Sequence, residues 1–315
     1  MSTRIAFFGG GNMAASLIAG LRQAGWAGAD IVVVDRNADK LAALHARHDV
    51  VTASSIEAAD LDVDVVMLAV KPQVMDEAIA ALRAALGTRR PLAISIAAGI
   101  PLSVLNLWLG ADIPCIRTMP NTPSQLGVGA TGLYAPPSIS HEARDLADRI
   151  MATAGINVWV NDETDIDTII ATSGSGPAYY FAFMEAMIDA ATDMGLPRES
   201  AQELVLQTAL GAARMACESG DDPATLRAKV TSKGGTTAEA LAQFQQADLA
   251  GIVARAMQAS ADRAGVMAGE LAERAASQQA VASFNPGVRE EDCRRALKSR
   301  AASMNVLKVS AGIRR

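Results

Sequence analysis

The sequence predicts an α/β protein in two parts, a half built on a parallel sheet and then an all-helical half. Three observations lead there. Short apolar runs alternate with segments of helical periodicity as far as Val160. From Glu163 onward the strand-like runs stop. A run of glycines, Gly9-Gly10-Gly11, joins the first apolar run to the first helical segment. Strands and helices that alternate in this way form right-handed βαβ units, whose strands lie parallel.

Each element follows from its local pattern. Strands are expected at Ile5–Phe8, Ile31–Val34, Val65–Val70, Leu92–Ile96 and Cys115–Thr118, each a short aliphatic run. Between them, apolar residues recur at helical spacing over Met13–Ala24, Asp39–Ala46, Gln73–Leu86 and Leu102–Leu109. Tyr134 to Ser140 carries Pro136 and Pro137 and is expected to be a connector, followed by a helix over His141–Thr153 and a strand over Asn157–Val160. The boundary between the halves falls near Asn161–Thr164, which predicts domains at 1–161 and 162–276.

In the second half, Pro177 to Met194 carries one acidic stripe, Glu185, Asp189 and Asp193, on an otherwise largely apolar surface. A helix with so narrow a polar stripe is expected to be buried on most sides. Further helices are expected over Arg198–Ser219, Pro223–Val230, Thr237–Gln246 and Asp248–Ala275. After Ser277 there are eight Lys/Arg against three Asp/Glu, with Pro286 and Gly287 breaking the pattern. Residues 277–315 are therefore expected to be a basic, dispensable extension.

Composition narrows the function. The chain has 315 residues, 50% hydrophobic and 20% charged, enough for a real core and unlike a disordered chain. Its net charge of -6 gives no reason to expect a nucleic-acid partner. No apolar run is long enough to span a bilayer, and no secretory leader is recognisable, so a cytoplasmic location is expected. Cys115, Cys217 and Cys293 are widely spaced and form no metal-ligand pattern; reduced thiols and no metal site are expected. His45 and His48 stand at i, i+3 but lack acidic or thiol partners.

The chemistry is carried by loops at one edge of the expected sheet. Gly9, Gly11 and Ala14 form GxGxxA in strand–turn–helix context, with Gly10, Asn12 and Met13 in the same turn. Such a turn allows a sharp bend, lets backbone approach a pyrophosphate, and packs helix on strand. The anion then sits at a positive helix N-terminus. These features predict a nicotinamide dinucleotide and a Rossmann-type domain. Asp35 and Arg36 end the second strand. The acid suits the ribose 2′-OH of NAD, the arginine a 2′-phosphate of NADP, and both readings stand.

Ala69-Val70-Lys71-Pro72, Ala98 in Ala97-Ala98-Gly99, and Asn121 in Met119-Pro120-Asn121-Thr122-Pro123 lie after later strands, on the cofactor edge. For Lys71 a solvated loop lysine is the alternative. In the helical half, Thr236 and Glu239 match a capping box. Gly234 and Gly235 ahead of that helix leave N–H groups free for a carboxylate, with a plain helix–helix turn as the alternative. The three histidines all lie in the first half. Carbonyl reduction needs a proton donor, whereas a protonated imine needs only hydride and electrostatic support, which favours C=N reduction.

From Arg4 to Ala276 these motifs resemble the pyrroline-5-carboxylate reductase family. SGSGPAYYFAFMEA and DPATLRAKVTSKGGTTAEAL carry the likeness most specifically, with AVKP, AAG and MPNTP in matching order. The resemblance implies reduction of 1-pyrroline-5-carboxylate to L-proline, with NADPH preferred and NADH usable. It implies a helical dimerisation domain, and dimers that also assemble as rings of dimers. It implies that Ser175, Gly234, Gly235, Thr236 and Thr237 hold the imino acid, with Thr237 acting near the ring nitrogen. Lys233 stands where that family's pattern has proline, and the tail after Ser277 matches nothing in it. A β-hydroxyacid dehydrogenase would want a lysine on the central helix, and Pro177–Met194 has none. A dinucleotide-sensing regulator would want a basic face, and the globular part is acidic.

Overall fold

A computed structural model describes residues 3–284, with side chains described as far as Ser277. Eight strands form one sheet in the order β3-β2-β1-β4-β5-β6-β7-β8. They are β1 (Ile5–Phe8), β2 (Ile31–Val34), β3 (Val51–Ala53), β4 (Val65–Leu68), β5 (Leu92–Ser95), β6 (Cys115–Met119), β7 (Gly129–Tyr134) and β8 (Gly155–Trp159). Helices α1 (Asn12–Gln23), α2 (Ala38–His48), α3 (Met75–Leu86), α4 (Leu102–Leu109) and α5 (His141–Ala152) cover its faces.

Strands β1, β2, β4 and β5 are buried throughout, and β6 over its first four residues, which is why these are continuous apolar-rich runs. In β1, Ile5 and Phe7 join Leu17, Ile18 and Leu21 of α1 in one core. Ala6 and Phe8 join Met75, Ile79 and Leu82 of α3 in the other. Removing one of these large side chains, as in Leu17→Ala, is expected to cost roughly 2–5 kcal/mol.

Two strands escaped the sequence reading. β3 has three residues and pairs only with β2. β7 contains Gly129 and Gly132, so it lacks an aliphatic run, and it pairs antiparallel with β6. The sheet is thus mixed rather than wholly parallel, because β7 reverses direction and carries β8 with it. Gly132 has a reason: a Cβ there would lie 2.3 Å from Ile169 Cδ1.

The helical half comprises α6 (Asp165–Ile169), a π-helical turn (Ile170–Gly174), α7 (Gly176–Asp193), α8 (Arg198–Glu218), α9 (Pro223–Lys229), α10 (Thr236–Gln246) and α11 (Leu249–Phe284). Three expectations change here. The apolar surface of α7 is not buried within one chain; Tyr180 is 70% and Phe181 64% exposed. The capping box does not form: Gly235 is the N-cap, Thr236 is the first helical residue, and no side chain caps the end. The last helix crosses the expected boundary at 276 and runs to Phe284, with Ala275 buried against the α3–α4 side of the sheet. Residues 285–315, most of the expected extension, lie outside the described residues. Among the described residues no helix is long and apolar enough to cross a membrane.

Candidate active site

The glycine turn is shaped by its neighbours. Gly9 has φ +104°, and a Cβ there would stand 2.6 Å from the Ala69 carbonyl oxygen. Its N–H donates to Val34 O at 2.8 Å. Gly10 N–H donates to Asp35 Oδ2 at 2.8 Å. Gly11 is the N-cap of α1, with φ −73° and ψ 177°. A Cβ on Gly11 would meet no protein atom within 4 Å. That space fits an approaching pyrophosphate, and α1 presents its positive end there, with Asn12 and Met13 in its first turn. Ala14, 1% exposed, seals helix against strand.

A cleft of about 640 Å³ opens over this turn. Gly9, Gly11, Asp35, Arg36, Ala69, Val70 and Lys71 line it, as the sequence reading expected. Lys40, Ser54, Ser55 and Glu77 line it too and were missed. The serines follow β3, so the overlooked strand hid them; the rule that ligands sit beyond strand C-termini would have found them. Pro72 does not line the cleft, and instead opens the short turn leading to α3.

Asp35 has a structural part beside the one expected in cofactor choice. Both its oxygens already accept backbone N–H groups, Oδ2 from Gly10 and Oδ1 from Asn37, each at 2.8 Å. Its carboxylate braces the glycine turn. Arg36 reaches outward, its nearest acid being Glu77, with Nη2 4.0 Å from Oε2.

Asn121 is 8% exposed and its side-chain amide is committed within the protein. Oδ1 accepts from Ala130 N at 2.9 Å, and Nδ2 donates to Ser173 O at 3.1 Å. It ties the sheet edge to the helical half. Ala98 follows β5, outside the cleft, beside Gly99, whose Cβ position faces Met267 of α11. Ser175 Oγ lies 3.0 Å from Ser260 Oγ, joining the start of α7 to α11.

In the loop before α10, Gly235 N–H donates to Ser232 O at 3.0 Å. Gly234 has φ +71°, a conformation that favours glycine, whereas a Cβ on Gly235, at φ −84°, would press on the Ser232 side chain, with Oγ at 2.3 Å. No side chain caps α10, and among the described residues the hydroxyls and backbone N–H groups of Thr236 and Thr237 have no hydrogen-bond partner. Within one chain this loop and the cleft are not brought together: no residue beyond Ala81 lines the cleft. α10 buries none of its residues in the isolated chain, and leans on α7 through Phe183 and Phe244, rings 6.0 Å apart.

Other titratable groups are structural. Cys115 is buried, and burial holds its thiol far above the usual range, so it is inert. His45 Nδ1 lies 2.9 Å from Val50 O. Among the described residues no cluster of His, Cys, Asp and Glu could hold a metal ion.

Comparison with known proteins agrees with this geometry. Residues 163–267 match the family described as pyrroline-5-carboxylate reductase dimerisation. Residues 4–99 match NADP oxidoreductase, coenzyme F420-dependent. The chain is 46% identical over 274 residues to a pyrroline-5-carboxylate reductase of Pseudomonas aeruginosa, covering 87% of this chain and 100% of that one. A pyrroline-5-carboxylate reductase from Coxiella burnetii superposes with TM-score 0.81 at 39% identity, covering 85% of this chain and 99% of that one. The Plasmodium falciparum pyrroline carboxylate reductase, crystallised with NADP bound, superposes with TM-score 0.74 at 26% identity, covering 84% of this chain and 98% of that one. With a glycine turn under an open cleft, a helical half that matches the dimerisation family and relatives matched along most of their length, the chain belongs to the pyrroline-5-carboxylate reductase family, NAD(P)H-dependent enzymes of the last step of proline biosynthesis.

Proposed function

We propose that each active site of this reductase is shared between two copies of the chain, with NADPH favoured over NADH. The cofactor lies in the cleft, its pyrophosphate over Gly11 and the N-terminus of α1. When bound it supplies the hydride. Arg36, Lys40, Ser54 and Ser55, which follow β2 and β3, line the cleft and suit a 2′-phosphate. Asp35, whose carboxylate braces the glycine turn in the same cleft, limits that preference without removing it. Ala69, Val70 and Lys71 carry the cofactor onward along the strand ends.

The imino acid sits in the cradle of Gly234, Gly235, Thr236 and Thr237. The free N–H groups at the start of α10 hold its carboxylate. The Thr237 hydroxyl sits beside the ring nitrogen and fixes which face of the C=N bond is presented, and Ser175 closes the pocket. No histidine lies in the helical half. A substrate that arrives protonated on nitrogen needs no acid there, so the residues orient and exclude water rather than transfer a proton.

One observation carries the shared site: the cleft ends at Ala81 while the cradle lies on an unburied helix. Exposed Tyr180, Phe181 and Phe183 on α7 supply the surface a second copy would cover. A closed two-fold dimer buries such a face, and dimers can further close into a ring. Domains at 1–161 and 162–276 and a cytoplasmic location complete the reading.

The test is oxidation of NADPH and NADH by purified protein with 1-pyrroline-5-carboxylate, against 2-keto acids as controls. Imine-dependent oxidation faster with NADPH is expected. Equal rates with both cofactors would overturn the preference, and turnover of the keto acids would overturn the imine specificity.

A further inference from the structure

The polar cluster at Arg117 takes no part in the chemistry above, yet it joins the two halves. Arg117 projects from the middle of β6, and its side chain is 4% exposed. Its Nη1 donates to Glu163 Oε1 at 2.9 Å, and its Nη2 lies 3.6 Å from Asp167 Oδ1. Glu163 Oε1 also accepts from Leu102 N, at the start of α4, at 2.7 Å. One carboxylate at the entry to the helical half thus holds both β6 and α4.

The segment that follows lies flush on the sheet. A Cβ on Gly132 of β7 would meet Ile169 at 2.3 Å, and a Cβ on Gly174 would meet Met119 Cε at 2.6 Å. At the far end Asn121 Nδ2 reaches Ser173 O. Residues 163–174 are therefore held by polar links at both ends and by glycine-limited contact between them. Ser175 and the start of α7 come directly after. The π-helical turn inside this stretch is a rare feature that frequently occurs at functional sites.

Burying a charge at Arg117 is a costly way to stabilise a fold, and an apolar residue would often do as well. Arg117 Nη2 and Asp167 Oδ1 are even left without hydrogen-bond partners. What an ionic cluster provides better than apolar packing is a defined register. Hydride transfer depends on register, since a misplacement of about 1 Å can cost about a hundredfold in rate.

We propose that Arg117 is a positioning residue for hydride transfer: with Glu163 and Asp167 it locks residues 163–175 onto β6 and sets the distance between the cofactor edge and the substrate half. This rests on the reading that the substrate lies between that edge and Ser175.

The test uses full-length Glu163→Ala and Glu163→Gln. The measurements are kcat, KM for NADPH, and the isotope effect with NADPH deuterated at the transferred position. Glu163→Ala is expected to lower kcat by about ten- to a hundredfold. KM for NADPH should stay within about twofold, and the isotope effect should rise as the hydride step becomes limiting. Glu163→Gln keeps the oxygen that accepts both bonds and should remain within about threefold of wild type. An Ala variant with unchanged kcat and isotope effect overturns the proposal, as does a Gln variant that falls equally far. Asp167→Ala removes only the outer partner and serves if the Glu163→Ala variant does not fold; an unchanged isotope effect there is equally decisive. Failure of the substrate reading would show separately, as wild-type kinetics in Thr237→Ala.

Discussion

Two glycines in one turn are expected to respond to alanine in opposite ways. At Gly9 the new methyl would stand 2.6 Å from the Ala69 carbonyl oxygen, on a backbone with φ +104°. The left-handed backbone costs about 1–2 kcal/mol and overpacking about 1–3 kcal/mol, together about 2–5 kcal/mol. For a domain of this size that lowers Tm by about 4–20 °C. At Gly11 the backbone has φ −73°, suits any residue, and offers open space to a methyl. Alanine is slightly worse than glycine as an N-cap, but it lowers the entropy of the unfolded chain, so stability should change by no more than about 0.5 kcal/mol. The methyl instead fills the space assigned to the pyrophosphate. Loss of one charge-assisted hydrogen bond, about 1.5–3 kcal/mol, weakens NADPH binding by about ten- to a hundredfold. Thermal unfolding without cofactor and NADPH fluorescence titration separate the two effects. Gly11→Ala that binds NADPH like wild type, or that melts as low as Gly9→Ala, would refute the placement of the phosphate.

Thr237→Ala should lower kcat/KM by about ten- to a hundredfold while NADPH affinity is kept, and steady-state kinetics with a binding titration check this. Arg36→Ala should raise KM for NADPH by about five- to thirtyfold and leave KM for NADH within about twofold, an effect that shrinks with added salt; equal changes for both cofactors count against the 2′-phosphate role. Light scattering should show a dimer or a larger ring, and an active monomer would refute the shared site. Truncation after Ser277 should leave a soluble, active assembly, because the buried Ala275 and the Arg274–Asp76 ion pair at 3.0 Å remain in place.

Much of the fold was legible because its signals are local. Five of the strands appeared as aliphatic runs, since a strand covered on both faces needs apolar residues throughout. β3 and β7 were not legible. Three residues in β3 are too few for periodicity, and β7 carries Gly129 and Gly132 because α6 and neighbouring backbone press on them. Of the residues that line the cleft, Gly9, Gly11, Asp35, Arg36, Ala69, Val70 and Lys71 were legible as loop positions after β1, β2 and β4. Ser54 and Ser55 were not, because their strand was missed. Asn121 was assigned to the cofactor by its place after β6, whereas its amide bonds lie across the protein to Ala130 and Ser173.

The sequence by itself determined the glycine turn, the change from alternating elements to helices near Glu163, and the loop before α10. Each depends on a few adjacent residues, whose backbone preferences and spacing act without help from the rest of the chain. Tertiary structure decided what depends on distant partners. It gave Asp35 a part as brace for Gly10, because β2 ends beside the glycine turn. It buried Arg117 against Glu163 and Asp167, residues far along the chain. It also left the apolar surface of α7 and the cradle on α10 uncovered, because one chain has too few elements in its helical half to enclose them.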